Sequence, residues 1–106
     1  MALNMKADSN SPEGLCRLVV EEEMTIYVIE SMKQAINSLL DSYDCFELDL
    51  SGVEEIDTAG IQLLFALERE LKRRNKTFKL NAVSSEVTKL LNTYGIGERF
   101  PIGDIA

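Results

Sequence analysis

Three features of the chain predict an α/β domain. Short apolar runs rich in β-branched and aromatic residues alternate with stretches whose apolar residues recur every three or four positions. Clusters of Asp, Ser, Asn, Pro and Gly separate these runs. The resulting order is strand, strand, helix, strand, helix, strand, helix, strand, and strands that alternate with helices imply right-handed crossovers. The expected architecture is a mixed, mainly parallel sheet of four to five strands. Its three helices lie chiefly on one face, because the chain holds too little helix to cover both.

Each element follows from its own residues. Residues 1–14 form a polar N-terminal segment with a possible short edge strand at 3–5, and the domain proper is read as 15–106. A strand over 15–21 is centred on Leu18, Val19 and Val20. Glu21, Glu22 and Glu23 read as a solvated loop or strand end. A first helix over 27–40 places Ile29, Met32, Ile36 and Leu39 on one face, with Thr25 as its candidate cap. A strand over 45–50 carries Phe46, Leu48 and Leu50 on one side and Glu47 and Asp49 on the other. The second helix begins at 58 or 59 and runs to about 73. Gly60, Leu63, Leu64, Leu67 and Leu71 form the stripe that packs on the sheet. Asn75 and Lys76 end it. A strand over 77–82 follows, and then Ser84 or Ser85 caps a third helix with Val87, Leu90, Leu91 and Tyr94 on its inner face. Gly95 stops that helix. A short last strand over 96–102, around Phe100, is placed at a sheet edge by Pro101.

Composition narrows the function. The chain has 106 residues and a formal charge of -7, a surface that repels nucleic-acid backbone and anionic membranes. No apolar run approaches the roughly 20 residues of a membrane span, and the first residues are not a secretory signal, so a cytoplasmic location is expected. Cys16 and Cys45 read as reduced, small hydrophobes. The chain contains no histidine, which removes the commonest general base and metal ligand. No glycine-rich phosphate loop is present. The chain is therefore expected to be no enzyme and to carry no cofactor or metal.

One segment stands out: Asp49-Leu50-Ser51-Gly52-Val53-Glu54-Glu55-Ile56-Asp57-Thr58-Ala59-Gly60-Ile61, which joins an apolar strand to an apolar helix. Asp57 or Thr58 can accept hydrogen bonds from the first free amides of that helix. The positive end of the helix suits a phosphate on a nearby hydroxyl. Phe65 lies about 140° and Ile61 about 100° from Gly60 around the helix axis. Ile61, Phe65 and Thr58 are thus candidates for a partly exposed apolar patch, with Phe65 tucked under a neighbouring segment as the competing reading. Arg69, Lys72, Arg73, Arg74 and Lys76 form a basic cluster that reads as cations suited to a helix C-terminus.

This order of elements, with Asp57-Thr58-Ala59-Gly60 between a strand and a helix, resembles the STAS domain family. The similarity spans about 15–102. It rests on Phe46-Glu47-Leu48-Asp49-Leu50-Ser51, then Val53 and Ile56, then Asp57-Thr58-Ala59-Gly60-Ile61. Glu22-Glu23-Met24-Thr25-Ile26-Tyr27 and Leu80-Asn81-Ala82-Val83-Ser84 also match segments of that family. The resemblance implies a partner-binding module that uses Asp57, Thr58, Ala59, Gly60, Ile61 and Phe65. In anti-sigma factor antagonists the partner is a serine kinase that also sequesters a sigma factor, and phosphorylation at the helix corner blocks docking. The usual third residue of that corner bears the phosphate. Here it is Ala59, so Thr58 becomes the switch candidate and Ser51 the weaker one. An Asp-Thr-Ala-Gly corner also resembles the subunit of a phospholipid-transport complex, whose partner is a membrane ATPase. A small-ligand sensor with an anion at the helix N-terminus is a further alternative. The chain stops soon after its last predicted strand, so self-association at that edge makes a homodimer a candidate assembly.

Overall fold

The computed structural model describes residues 5–7, 14–95 and 102–105. Its elements are β1 (Met5–Ala7), β2 (Leu15–Met24), α1 (Ile29–Asn37), β3 (Cys45–Ile56), α2 (Thr58–Arg73), β4 (Thr77–Val83), α3 (Ser85–Thr93) and β5 (Ile102–Ile105). The five strands lie in chain order in one sheet. β1 pairs with β2 antiparallel, and the other three pairings are parallel.

The sheet alternates as a half-covered sheet should. Cys16, Leu18 and Val20 of β2, Phe46, Leu48 and Leu50 of β3, and Leu80 of β4 are buried. They form one core with Ile29, Met32 and Ile36 of α1, Leu64, Leu67 and Leu71 of α2, and Val87 and Leu91 of α3. All three helices therefore serve the same apolar face. Each fully buried Leu or Met in this set is worth about 1.5–3 kcal/mol relative to exposure. On the other face, Arg17 of β2 pairs with Glu47 of β3 at 3.2 Å.

Several elements depart from the sequence expectation. β2 and β3 both run on toward the corner, pairing Glu22 with Val53, Glu23 with Glu55 and Met24 with Ile56. The acidic triplet is thus the end of a strand, the second of its two readings, with Glu21 and Glu22 exposed. Val53 is buried, which ties the extension to the core. Register shifts near Glu21 and Glu22 accompany a left-handed φ of 71° at Glu22. α1 is shorter than residues 27–40. Thr25 does not cap it with its side chain: the Thr25 carbonyl accepts from Val28 and Ile29, while its hydroxyl donates to Glu23. Tyr94 is not on the inner face of α3, being 49% exposed. β5 covers Ile102–Ile105. The strand expected around Phe100, apart from its last residue, and positions 3 and 4 of the first edge strand lie outside the described residues. Helix ends follow the turn chemistry. Ser84 accepts from the Val87 amide at 3.3 Å, and Asn75 and Gly95 adopt φ of 60° and 67° after α2 and α3.

Candidate functional site

The corner is built where the extended β2–β3 pair meets α2. Asp57 keeps an extended backbone, as an N-cap must. Its Oδ1 accepts from the Ala59 amide at 2.9 Å and the Gly60 amide at 3.3 Å. Its Oδ2 accepts from the Ile26 amide at 3.0 Å. One carboxylate therefore caps α2 and also ties down the turn before α1. Loss of an N-cap alone costs about 0.5–2 kcal/mol.

Gly60 lets these pieces close. A Cβ at this position would lie 2.4 Å from the Met24 carbonyl oxygen and 2.8 Å from Ile56 Cγ1. The helix start is thereby pressed against the end of β2. Two residues before Gly60, Thr58 is exposed, with its Oγ1 2.7 Å from the Tyr94 Oη at the end of α3.

The predicted residues sort into two groups. Asp57, Thr58 and half-buried Ala59 stand together at the corner. Gly60 and Ile61 do not reach the surface, and Ile61 is only 3% exposed and sits in the core. The apolar patch expected from Ile61, Phe65 and Thr58 is corrected at Ile61, while Phe65 lies between its two readings, half-buried and packed against the core. Ser51 is exposed, and its hydroxyl and amide both bond Asp49 Oδ1, at 2.6 and 2.9 Å.

Among the described residues, the large exposed apolar side chains lie elsewhere. Ile26 is 68% exposed and Tyr27 83% exposed, on the turn that Asp57 holds. Tyr94 adds a third large side chain beside Thr58. Ile26 also lines a groove between α1 and α2 with Ile29, Lys33, Ala59, Gln62 and Ala66. Periodicity missed Ile26 and Tyr27 because they precede α1 in a turn. The available signal was that Tyr27 falls off the Ile29–Met32–Ile36 stripe.

Charge is divided along α2. Glu21, Glu22, Glu30, Glu54 and Glu55 are exposed on the elements that converge at the corner. The amides that a bound anion would use at the helix N-terminus already face the Asp57 carboxylate, which argues against the ligand-sensor reading. The opposite end of the 16-residue helix carries the basic cluster. Arg73 and Arg74 bond Glu70, Arg74 bonds Asp41 at 2.7 Å, and Lys76 Nζ donates to the carbonyls of Leu40 and Tyr43. These cations brace the α1–β3 connection. The hydrogen bonds from Arg73 and Arg74 hold the Glu70 carboxyl down at about 2. Among the described residues, no group of acidic or thiol side chains is arranged to hold a metal, and no helix is long and apolar enough to cross a membrane.

Comparison with known proteins agrees with this architecture. The family described as "Mlab, STAS domain" matches residues 9–103. No curated protein matches the chain. Among solved structures, the unphosphorylated form of the anti-sigma factor antagonist SpoIIAA superposes with a TM-score of 0.78 at 15% identity, covering 96% of this chain and 88% of that one. An anti-sigma factor antagonist from Mycobacterium paratuberculosis gives 0.78 at 22% identity, over 92% and 84%. A sulfate transporter family protein from Wolinella succinogenes gives 0.70 at 21%, over 88% and 80%. Identities this low speak for the fold alone.

Proposed function

Because the chain belongs to the STAS domain family, we propose that it is a non-enzymatic, cytoplasmic signalling module that docks on a protein partner through the corner at the start of α2. The partner is of the serine-kinase or anti-sigma-factor type, and Thr58 is the contact or switch hydroxyl. The observation that carries this reading is the exposure of Ile26 and Tyr27 on a turn fixed by Asp57, next to an exposed Thr58. Large apolar side chains held rigidly in water form the kind of patch that marks an interaction site. Aromatic anchors of this sort commonly dominate binding energy. The surrounding carboxylates call for a basic partner surface.

A second reading has its own support. Ala59 removes the hydroxyl that antagonists use, and the matching family is the one described as Mlab. Both observations favour a fixed subunit of a membrane transport complex, with Thr58 as a constant contact.

Affinity capture of native partners separates the two. Thr58→Glu and Tyr27→Ala are each expected to lower retention of the same partner at least tenfold. Their melting temperatures should stay within about 2 °C of wild type, as expected for exposed positions. A soluble kinase that phosphorylates Thr58 with ATP supports the first reading; co-purification of a membrane ATPase without phosphorylation supports the second. Unchanged retention by both variants removes the corner from the interface.

A further inference from the structure

The contact between Thr58 and Tyr94 joins two helices that are 36 positions apart in sequence. Neither side chain is forced into it by burial, since Thr58 is exposed and Tyr94 is about half exposed. The phenol comes from the C-cap position of α3, where the Tyr94 amide donates to the Leu90 carbonyl and the Gly95 amide to the Asn92 carbonyl. Gly95 then turns the chain with a left-handed φ of 67°. The threonine comes from the first residue of α2, whose cap is completed by Asp57 without any help from the Thr58 hydroxyl. The hydroxyl is therefore free of any capping duty, and in the hydrogen bonds described it has Tyr94 as its partner.

We propose that Tyr94 is a positioning residue for Thr58: its phenol holds the Thr58 hydroxyl in place while that residue is unmodified, and a group added to Thr58 displaces the phenol and loosens the end of α3. The proposal rests on the reading of Thr58 as the switch or contact residue. The physical argument is one of space and charge. At 2.7 Å the two oxygens are in hydrogen-bond contact, so a phosphate on Oγ1 removes the hydroxyl proton from this pair and brings bulk and charge against the ring. The added charge also cannot settle on the amides of Ala59 and Gly60, because Asp57 already occupies them. Tyr94 stands at the C-cap of α3 and is 49% exposed, so its ring has solvent to move into. Its displacement carries a signal from the corner to the last turn of α3.

The test uses the full chain with phosphothreonine installed at position 58 during translation, read by amide hydrogen exchange and by nuclear magnetic resonance. Thr58→Val and Tyr94→Phe keep the shape of each side chain and delete one hydroxyl; Thr58→Ser restores one. Phosphorylation, Thr58→Val and Tyr94→Phe are each expected to raise exchange at the Tyr94 and Gly95 amides at least threefold, with the amides of β3 unchanged. Thr58→Ser should restore the wild-type rate. In Tyr94→Phe, phosphorylation should add no further change, because the contact is already gone. Independent, additive effects, or unchanged exchange at Tyr94 and Gly95 on phosphorylation, would overturn the proposal. The capture experiment above judges the docking role of Thr58 separately, so failure of that reading is distinguishable from failure of this one.

Discussion

Gly60 shows how a single hydrogen atom in place of a methyl group shapes the site. In a helix, alanine is ordinarily favoured over glycine by about 1 kcal/mol. Here the added Cβ meets a backbone carbonyl at 2.4 Å, and a backbone atom cannot swing aside. Overpacking wins over propensity, so Gly60→Ala is expected to destabilise the fold by about 1–3 kcal/mol in urea unfolding. An increase in stability would show that β2 and α2 are not pressed together at the corner. The glycine was legible in the sequence as part of the buried stripe. The reason for it was not, because Met24 is distant in the chain and reaches Gly60 only through the β2–β3 extension.

At the scale of elements, α2 divides its duties by face and by end. Its stripe packs on the sheet, its first residue faces solvent, and Arg74 and Lys76 just past its C-terminal end clamp the α1–β3 connection. Phe65 belongs to the packing side of this division. Phe65→Ala is expected to cost about 1–2 kcal/mol, and so to lower the melting temperature by roughly 5–10 °C. An unchanged melting temperature would return Phe65 to the surface patch. At the other end, Glu70 has a folded pKa depressed by Arg73 and Arg74 to about 2. Its contribution to stability is present above the usual carboxylate range and is lost as pH falls toward 2. Glu70→Gln is therefore expected to flatten the decline of stability between about pH 4.5 and 2. An acid limb with the same slope in the variant would show that these ion pairs add nothing at this exposed site. The helix itself was legible from the period of its leucines. Its clamp was not, because a run of cations looks the same whether it is solvated or bonded to carbonyls 33 and 36 residues away.

At the scale of the whole molecule, the sheet separates two cysteines that are close in space. Cys16 lies opposite Phe46, and Cys45 lies opposite Leu15, in adjacent parallel strands. Side chains alternate along a strand, so the two thiols point to opposite faces. Cys16 is buried in the core, where desolvation raises its pKa, and Cys45 is half-buried on the other face. With an aromatic disulfide reagent at neutral pH, Cys45 is expected to react first and Cys16 only as the protein unfolds. Equal rates for the two would contradict the placement of Cys16 in the core.

The sequence by itself determined the element order, the buried stripes and the Asp57 cap. Each is encoded by neighbours within one or two turns of helix or a few residues of strand, where period and hydrogen-bonding chemistry are local. It placed Thr58 at a helix start for the same reason. Only the tertiary structure decided which apolar residues remain in water. Ile61 sank, and Phe65 half sank, because the core closes around more of α2 than one stripe, whereas Ile26 and Tyr27 surfaced because Asp57 holds their turn outside α1. The tertiary structure alone also brought Tyr94 to Thr58, since a contact across 36 residues depends on how two helices are docked and leaves no periodic trace in the chain.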